Sequence, residues 1–182
     1  AKCLSTISDL ADEICVVDTG SRDNTLEIAR SHKAKVSLFI WCDDFAAARN
    51  ESLRLCTADW IFVLDADERI DRADAGRLRS LIKGRQDVAY RFVTRNYSND
   101  TDAEGFVPVS PDDSLSQGYR GWYPTSAVRL FPNHRNIQFA GRVQESVSES
   151  VAAANIPVED LDIPILHYPL SRSAERIETE DE

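Results

Sequence analysis

The chain has 182 residues, 42% of them hydrophobic and 29% charged, and carries a formal net charge of -10. That length and balance suit one packed globular domain. The acidity excludes a nucleic-acid backbone as partner, because no basic stripe exists to hold one, and no run approaches the ~18 apolar residues of a membrane span.

"DEICVVDTG" is a short β-branched run that ends at Asp18 and Gly20, which predicts a buried strand. In "DNTLEIARSHK", Asn24 followed by Glu27 predicts a capping box that opens a helix. "AKVSLFI" predicts a second strand. "DDFAAARNESLRLC" predicts a helix with Phe45, Ala48, Ser52, Leu55 and Cys56 on one face. "WIFVLDADE" predicts a third strand, and "RADAGRLRSLIKG" a helix with Leu78, Leu81 and Ile82 as its apolar stripe and Gly84 as its stop. Such alternation implies an α/β fold with parallel pairing and crossover helices.

After "VAYRFVTRN" the pattern changes. Strand-like runs ("SAVRLFPN", "IQFAGRV", "IPILHY") follow, with Asn96 to Pro124 expected as a long loop whose mobility would suit a lid. One domain is expected over 1–170, with 171–182 a polar acidic tail. Cys3, Cys15, Cys42 and Cys56 form no C-x-x-C pair and no zinc spacing. Cys15 and Cys56 read as buried thiols, and a reducing, cytoplasmic compartment is expected.

In open α/β sheets ligands bind beyond the carboxyl ends of the parallel strands. Asp18 ends the first strand, and Asp65, Asp67 and Glu68 end the third, so these acids are expected to share one edge. Asp65 and Asp67 are two apart, which on an extended chain points both carboxylates the same way. Two carboxylates so placed repel unless a cation or protons compensate, and Mg²⁺ or Mn²⁺ suits such oxygen ligands.

The succession "ADEICVVDTGSRDNTLEIA", "FAAARNESL" and "ADWIFVLDADE" resembles glycosyltransferase family 2, on the nucleotide-sugar-binding GT-A fold: a Rossmann-like, mixed and mainly parallel sheet with flanking helices. "SAVRLFPNHRNIQFAGRVQES" and "DIPILHYPL" match more loosely. The likeness is to a bacterial branch sometimes joined to helical repeats. It implies an inverting, metal-dependent, hexosyltransferase-like enzyme that moves a sugar from a nucleoside-diphosphate donor to a hydroxyl-bearing acceptor. Asp18 is then expected at the base or ribose, Arg49 and Asn50 at the ribose or diphosphate, Asp65 at the ribose, and Asp67 of the D-x-D motif on Mg²⁺ or Mn²⁺. Glu145 in "GRVQE" matches the catalytic base, with Gln144 where relatives carry His. His167 matches a further metal ligand. Trp122 and Tyr123, placed in the long loop, are expected to stack on the acceptor.

The family ordinarily begins with a strand and turn upstream of the helix that here reads "AKCLSTISDLAD". The resemblance therefore implies an N-terminally incomplete domain, its first strand missing and "EICVVDT" short of a neighbour unless a homodimer compensates. Two rival readings remain at this stage: a degenerate, non-catalytic module binding a nucleotide sugar or a partner, and a nucleotidyltransferase.

Overall fold

The computed structural model describes residues 2–110 and 112–169. Along the chain the elements are α1 (Lys2–Ile7), β1 (Cys15–Asp18), α2 (Thr25–Ser31), β2 (Lys35–Leu38), α3 (Phe45–Leu55), β3 (Trp60–Phe62) and β4 (Glu68–Arg69). They continue with α4 (Arg72–Ile82), β5 (Ala89–Ser98), β6 (Val107–Pro108), β7 (Gly121–Pro132), α5 (Ser148–Ala153) and β8 (Val158–His167). The expected tail at 171–182 lies outside the described residues.

The strands form two sheets. β1 and β2 pair in parallel, and a six-stranded mixed sheet runs β3-β7-β5-β8-β4 with β6 against β7. The α/β class and the mixed sheet are as the sequence implies. Within the larger sheet parallel pairing is confined to β5 and β8. Among the described residues no strand lies between β1 and β3, and a cavity of about 1180 Å³ separates them. Val16 and Val17 line one wall and Ile61 and Phe62 the other, with Cys3 and Arg49 contributing from α1 and α3.

Local rules account for the starts of the two longest helices and for one stop. The Asp44 side chain accepts from Ala47 N at 2.9 Å to start α3, and Asp71 accepts from Ala73 N at 3.0 Å to start α4. Gly84, at φ 73°, follows α4 as expected of a stop. The capping box at Asn24 does not form; Asp23 Oδ1 accepts from Thr25 N at 3.0 Å instead. The buried face of α3 also differs from expectation. Ala46 and Leu53 pack inward with Cys56, whereas Phe45 is half exposed, its ring against the edge of Trp41.

β5 is the spine of the larger sheet. Tyr90, Phe92, Thr94 and Asn96 alternate inward while Arg91 and Val93 face out, the period-two signature of a strand with one covered face. The inward series turns from aromatic to polar as it nears the carboxyl end, where the site lies. β5 and β7 extend well into the region expected as loop, so Trp122 and Tyr123 are strand residues rather than lid residues. The intervening segment packs Val109, Leu115 and Tyr119 against Tyr97 and Tyr168, and Tyr168 donates to Leu115 O at 2.6 Å. "IQFAGRV" is not a strand; its pairing is limited to the bridge between Ala140 and Ser146.

Candidate functional site

The turn between β3 and β4 holds Asp65 and Asp67, and the two carboxylates face different partners. The common direction expected of them requires an extended chain, and residues 66–67 turn instead. Asp67 Oδ2 lies 3.2 Å from His167 Nε2. The antiparallel β4–β8 pairing brings them together: Glu68 stands opposite His167, and Tyr168 N donates to Asp67 O at 3.1 Å. The hydrogen bond from His167 holds the Asp67 carboxyl below its ordinary range, and the same bond raises the imidazole.

Asp65 accepts from Arg49, which reaches across from α3. The same guanidinium donates through Nε to Glu145 Oε1 at 3.0 Å, so Arg49 bridges two carboxylates that are 80 residues apart in sequence (145 minus 65). Burial pulls the Arg49 guanidinium down, and Asp65 and Glu145 more than offset it. Beneath Asp65, Arg129 of β7 sits with Nη2 2.9 Å from Glu68 Oε1 and Nη1 3.8 Å from Asp65 Oδ2. Glu68 is buried and accepts from Asp65 N at 2.8 Å, so it pins the turn from below. Burial pushes its carboxyl up, with Arg129 opposing. The result is a chain of alternating charge: Glu145, Arg49, Asp65, Arg129, Glu68.

The other expected site residues are held in more structural ways. Asp18 is buried at the end of β1 and accepts from Gly20 N and Ser21 N, each at 3.1 Å. Hydrogen bonding from Ser21, its side chain first, lowers that carboxyl. Its neighbours Val17 and Thr19 line the cavity. Asn50 engages Phe139 at both ends of its amide, donating to O at 3.0 Å and accepting from N at 2.8 Å. It thereby ties α3 to the loop that carries Glu145. One face of Trp122 is taken by the Arg95 guanidinium, 5.0 Å from the ring centroid, and Tyr123 lends its carbonyl to Asn96.

Asp67 and His167 together offer a hard cation one oxygen and one nitrogen, leaving its other positions to diphosphate oxygens and water. Among the described residues, the one group of three metal-competent side chains is elsewhere: Glu13, Cys15 and Cys56. Its carboxylate is already engaged by Thr57, Ala58 and Lys35.

Arg129 and Asn96 carry parts of this site that the sequence analysis did not single out. For Asn96 a signal existed: it is a polar residue in phase with the inward Tyr90 and Phe92.

A family model described as glycosyl transferase family 2 matches residues 1–140. The chain belongs to glycosyltransferase family 2. It is 38% identical over 152 residues to a TPR repeat-containing protein of Synechococcus elongatus, covering 84% of this chain and 33% of that protein. It is 27% identical over 146 residues to the SPbeta prophage-derived glycosyltransferase SunS of Bacillus subtilis, covering 79% and 30%. The chain thus spans about a third of the length of these curated relatives. Among solved structures, S. aureus TarS matches with a TM-score of 0.59 at 14% identity over 92% of this chain and 34% of that one. TarS 1-349 in complex with UDP-GlcNAc matches with a TM-score of 0.58 at 14% identity, over 92% and 54%. At such identity the likeness speaks for the fold, which is the GT-A type implied by the motifs. No helix among the described residues is long and apolar enough to cross a membrane.

Proposed function

We propose that this family 2 domain is the donor-binding and catalytic part of an inverting, divalent-metal-dependent glycosyltransferase. It transfers a sugar from a nucleoside diphosphate to a hydroxyl acceptor in the cytoplasm. The observation that carries the reading is the convergence of Asp67 and His167, 3.2 Å apart, beside the Arg49 bridge between Asp65 and Glu145.

Asp67 and His167 would hold Mg²⁺ or Mn²⁺, which supplies neutralisation of the charge that develops on the departing nucleoside diphosphate. Asp18 and Asp65 mark the nucleoside side of the cleft, and Asn50 acts through Phe139 by fixing the neighbouring loop. Arg49 keeps Glu145 oriented, as a general base must be. Glu145 then takes the proton from the acceptor hydroxyl as that oxygen attacks the anomeric carbon. Trp122 and Tyr123, on β7, flank the acceptor side. The TarS complex makes UDP-GlcNAc the first donor to try.

Calorimetry of the chain with UDP-GlcNAc, with and without Mn²⁺, tests the proposal. Metal-dependent binding that disappears in Asp67→Asn is the expected result. Binding indifferent to the metal and to Asp67, or no binding in either condition, overturns it.

A further inference from the structure

Asn96 lies in the middle of a three-strand register, opposite Tyr123 on β7 and His167 on β8. It is 8% exposed, so its amide must find its partners within the protein. Nδ2 lies 3.1 Å from Tyr123 O, 3.4 Å from Thr94 O and 3.0 Å from Thr125 Oγ1. Oδ1 lies 2.8 Å from His167 Nδ1.

Donor and acceptor chemistry removes the ambiguity in this arrangement. The carbonyls of Tyr123 and Thr94 can only accept, so the end of the amide that faces them must be the NH₂ group. The opposite end is therefore the carbonyl oxygen, which can only accept as well. Consequently His167 Nδ1 must carry a proton and donate it to Asn96. Without a cation the ring also donates through Nε2 to Asp67; a cation bound there would displace that proton, and the bond to Asn96 keeps the one on Nδ1.

We infer that Asn96 is the positioning residue that prepares His167 as a metal ligand, by fixing the Nδ1–H tautomer and aiming the Nε2 lone pair at the position shared with Asp67. The inference rests on the metal-site reading above and extends it to a buried residue on a different strand. Ligating histidines commonly donate their second ring N–H to such a partner, and losing that partner typically weakens metal affinity about 10–100-fold. Here the partner is neutral, so it orients the ring and selects the tautomer without adding charge. The Tyr123 and Thr94 carbonyls in turn keep Asn96 from flipping.

Two measurements on the purified chain test this. Two-bond ¹H–¹⁵N correlation spectra of His167 in the Mg²⁺-loaded chain should show the proton on Nδ1 alone; a proton on Nε2 overturns the inference. Mn²⁺ affinity, read by electron paramagnetic resonance of the free ion, should fall about 10–100-fold in Asn96→Ala. Asn96→Asp, whose carboxylate still accepts from Nδ1–H but has lost the amide donors, should stay within a few-fold of wild type. Unchanged affinity in Asn96→Ala overturns the inference, and so does an equal loss in both variants, which would mark a merely structural role. If the wild-type chain binds no Mn²⁺, the metal-site reading falls and this inference falls with it. Wild-type binding that is insensitive to Asn96 sinks this inference alone. Should Asn96→Ala fail to fold, the tautomer of the wild type and the affinity of Asn96→Asp still decide the matter.

Discussion

Glu13 offers a direct test of how the two sheets are held in register. One carboxylate oxygen accepts from Thr57 N at 2.5 Å and Ala58 N at 2.7 Å; the other accepts from Lys35 Nζ at 2.5 Å and Thr57 Oγ1 at 2.9 Å. It thus ties the two-stranded sheet, through Lys35 on β2, to the segment that leads into β3 on the far side of the cavity. Burial pushes the carboxyl up, but Lys35 and then the two backbone N–H groups outweigh it and bring it from 4.5 down to about 2. At ~1.4 kcal/mol per pH unit this is at most ~3.4 kcal/mol; because Lys35 is nearly half exposed, we expect about 2 kcal/mol. The folded value is depressed, so the contribution is fully present above about pH 4.5 and is lost as pH falls toward about 2. Urea unfolding of wild type and Glu13→Gln should therefore differ by about 2 kcal/mol at pH 7 and converge on acidification. A difference that stays constant from neutral pH down to pH ~3, or grows, refutes the linkage argument.

Other consequences concern the proposed chemistry and the packing. If the proposed transfer is right, Glu145→Gln should lower kcat by about 10²–10⁴ while leaving donor affinity unchanged, as steady-state kinetics and calorimetry will show; a matching loss of donor affinity would instead make Glu145 a binding residue. In Gly121→Ala, the new Cβ would stand 2.3 Å from Phe106 Cζ and 2.4 Å from Val107 O. The aromatic ring can move but the backbone carbonyl is held by β6, so a loss of about 1–3 kcal/mol is expected in thermal unfolding, and an unchanged melting temperature contradicts it. Phe131 is fully buried between α3, α5 and the sheet. Its replacement by Ala should cost about 3–5 kcal/mol in urea unfolding.

Much of this molecule is legible in one dimension. The β-branched runs, the Gly84 stop and the three motif blocks depend on residues close in sequence, where propensity and capping act directly. The same holds for placing Asp18 at the end of β1; β3 instead stops at Phe62 and leaves Asp65 and Asp67 in the connection to β4. What failed was overruled once by a neighbouring side chain and once by distant pairing. Asn24 and Glu27 have capping-box spacing, yet Asp23 is the side chain that accepts from Thr25 N. The Gly-, Pro- and Ser-rich stretch from Asn96 reads as loop, yet pairing with β7 and β8 extends β5 to Ser98.

The sequence by itself determined the family, the α/β alternation and the run of acids that follows β3, because each is written in short contiguous patterns. Only the tertiary structure decided how those acids are used. It set Asp67 against His167 and Asp65 against Arg49 and Arg129, and it placed Asn96 behind His167. These partners come from β5, β7, β8 and α3, and no spacing rule links residues a hundred positions apart. Their meeting follows from the order of strands in the sheet. A turn of two residues between β3 and β4 then sends neighbouring carboxylates to different sides of one site.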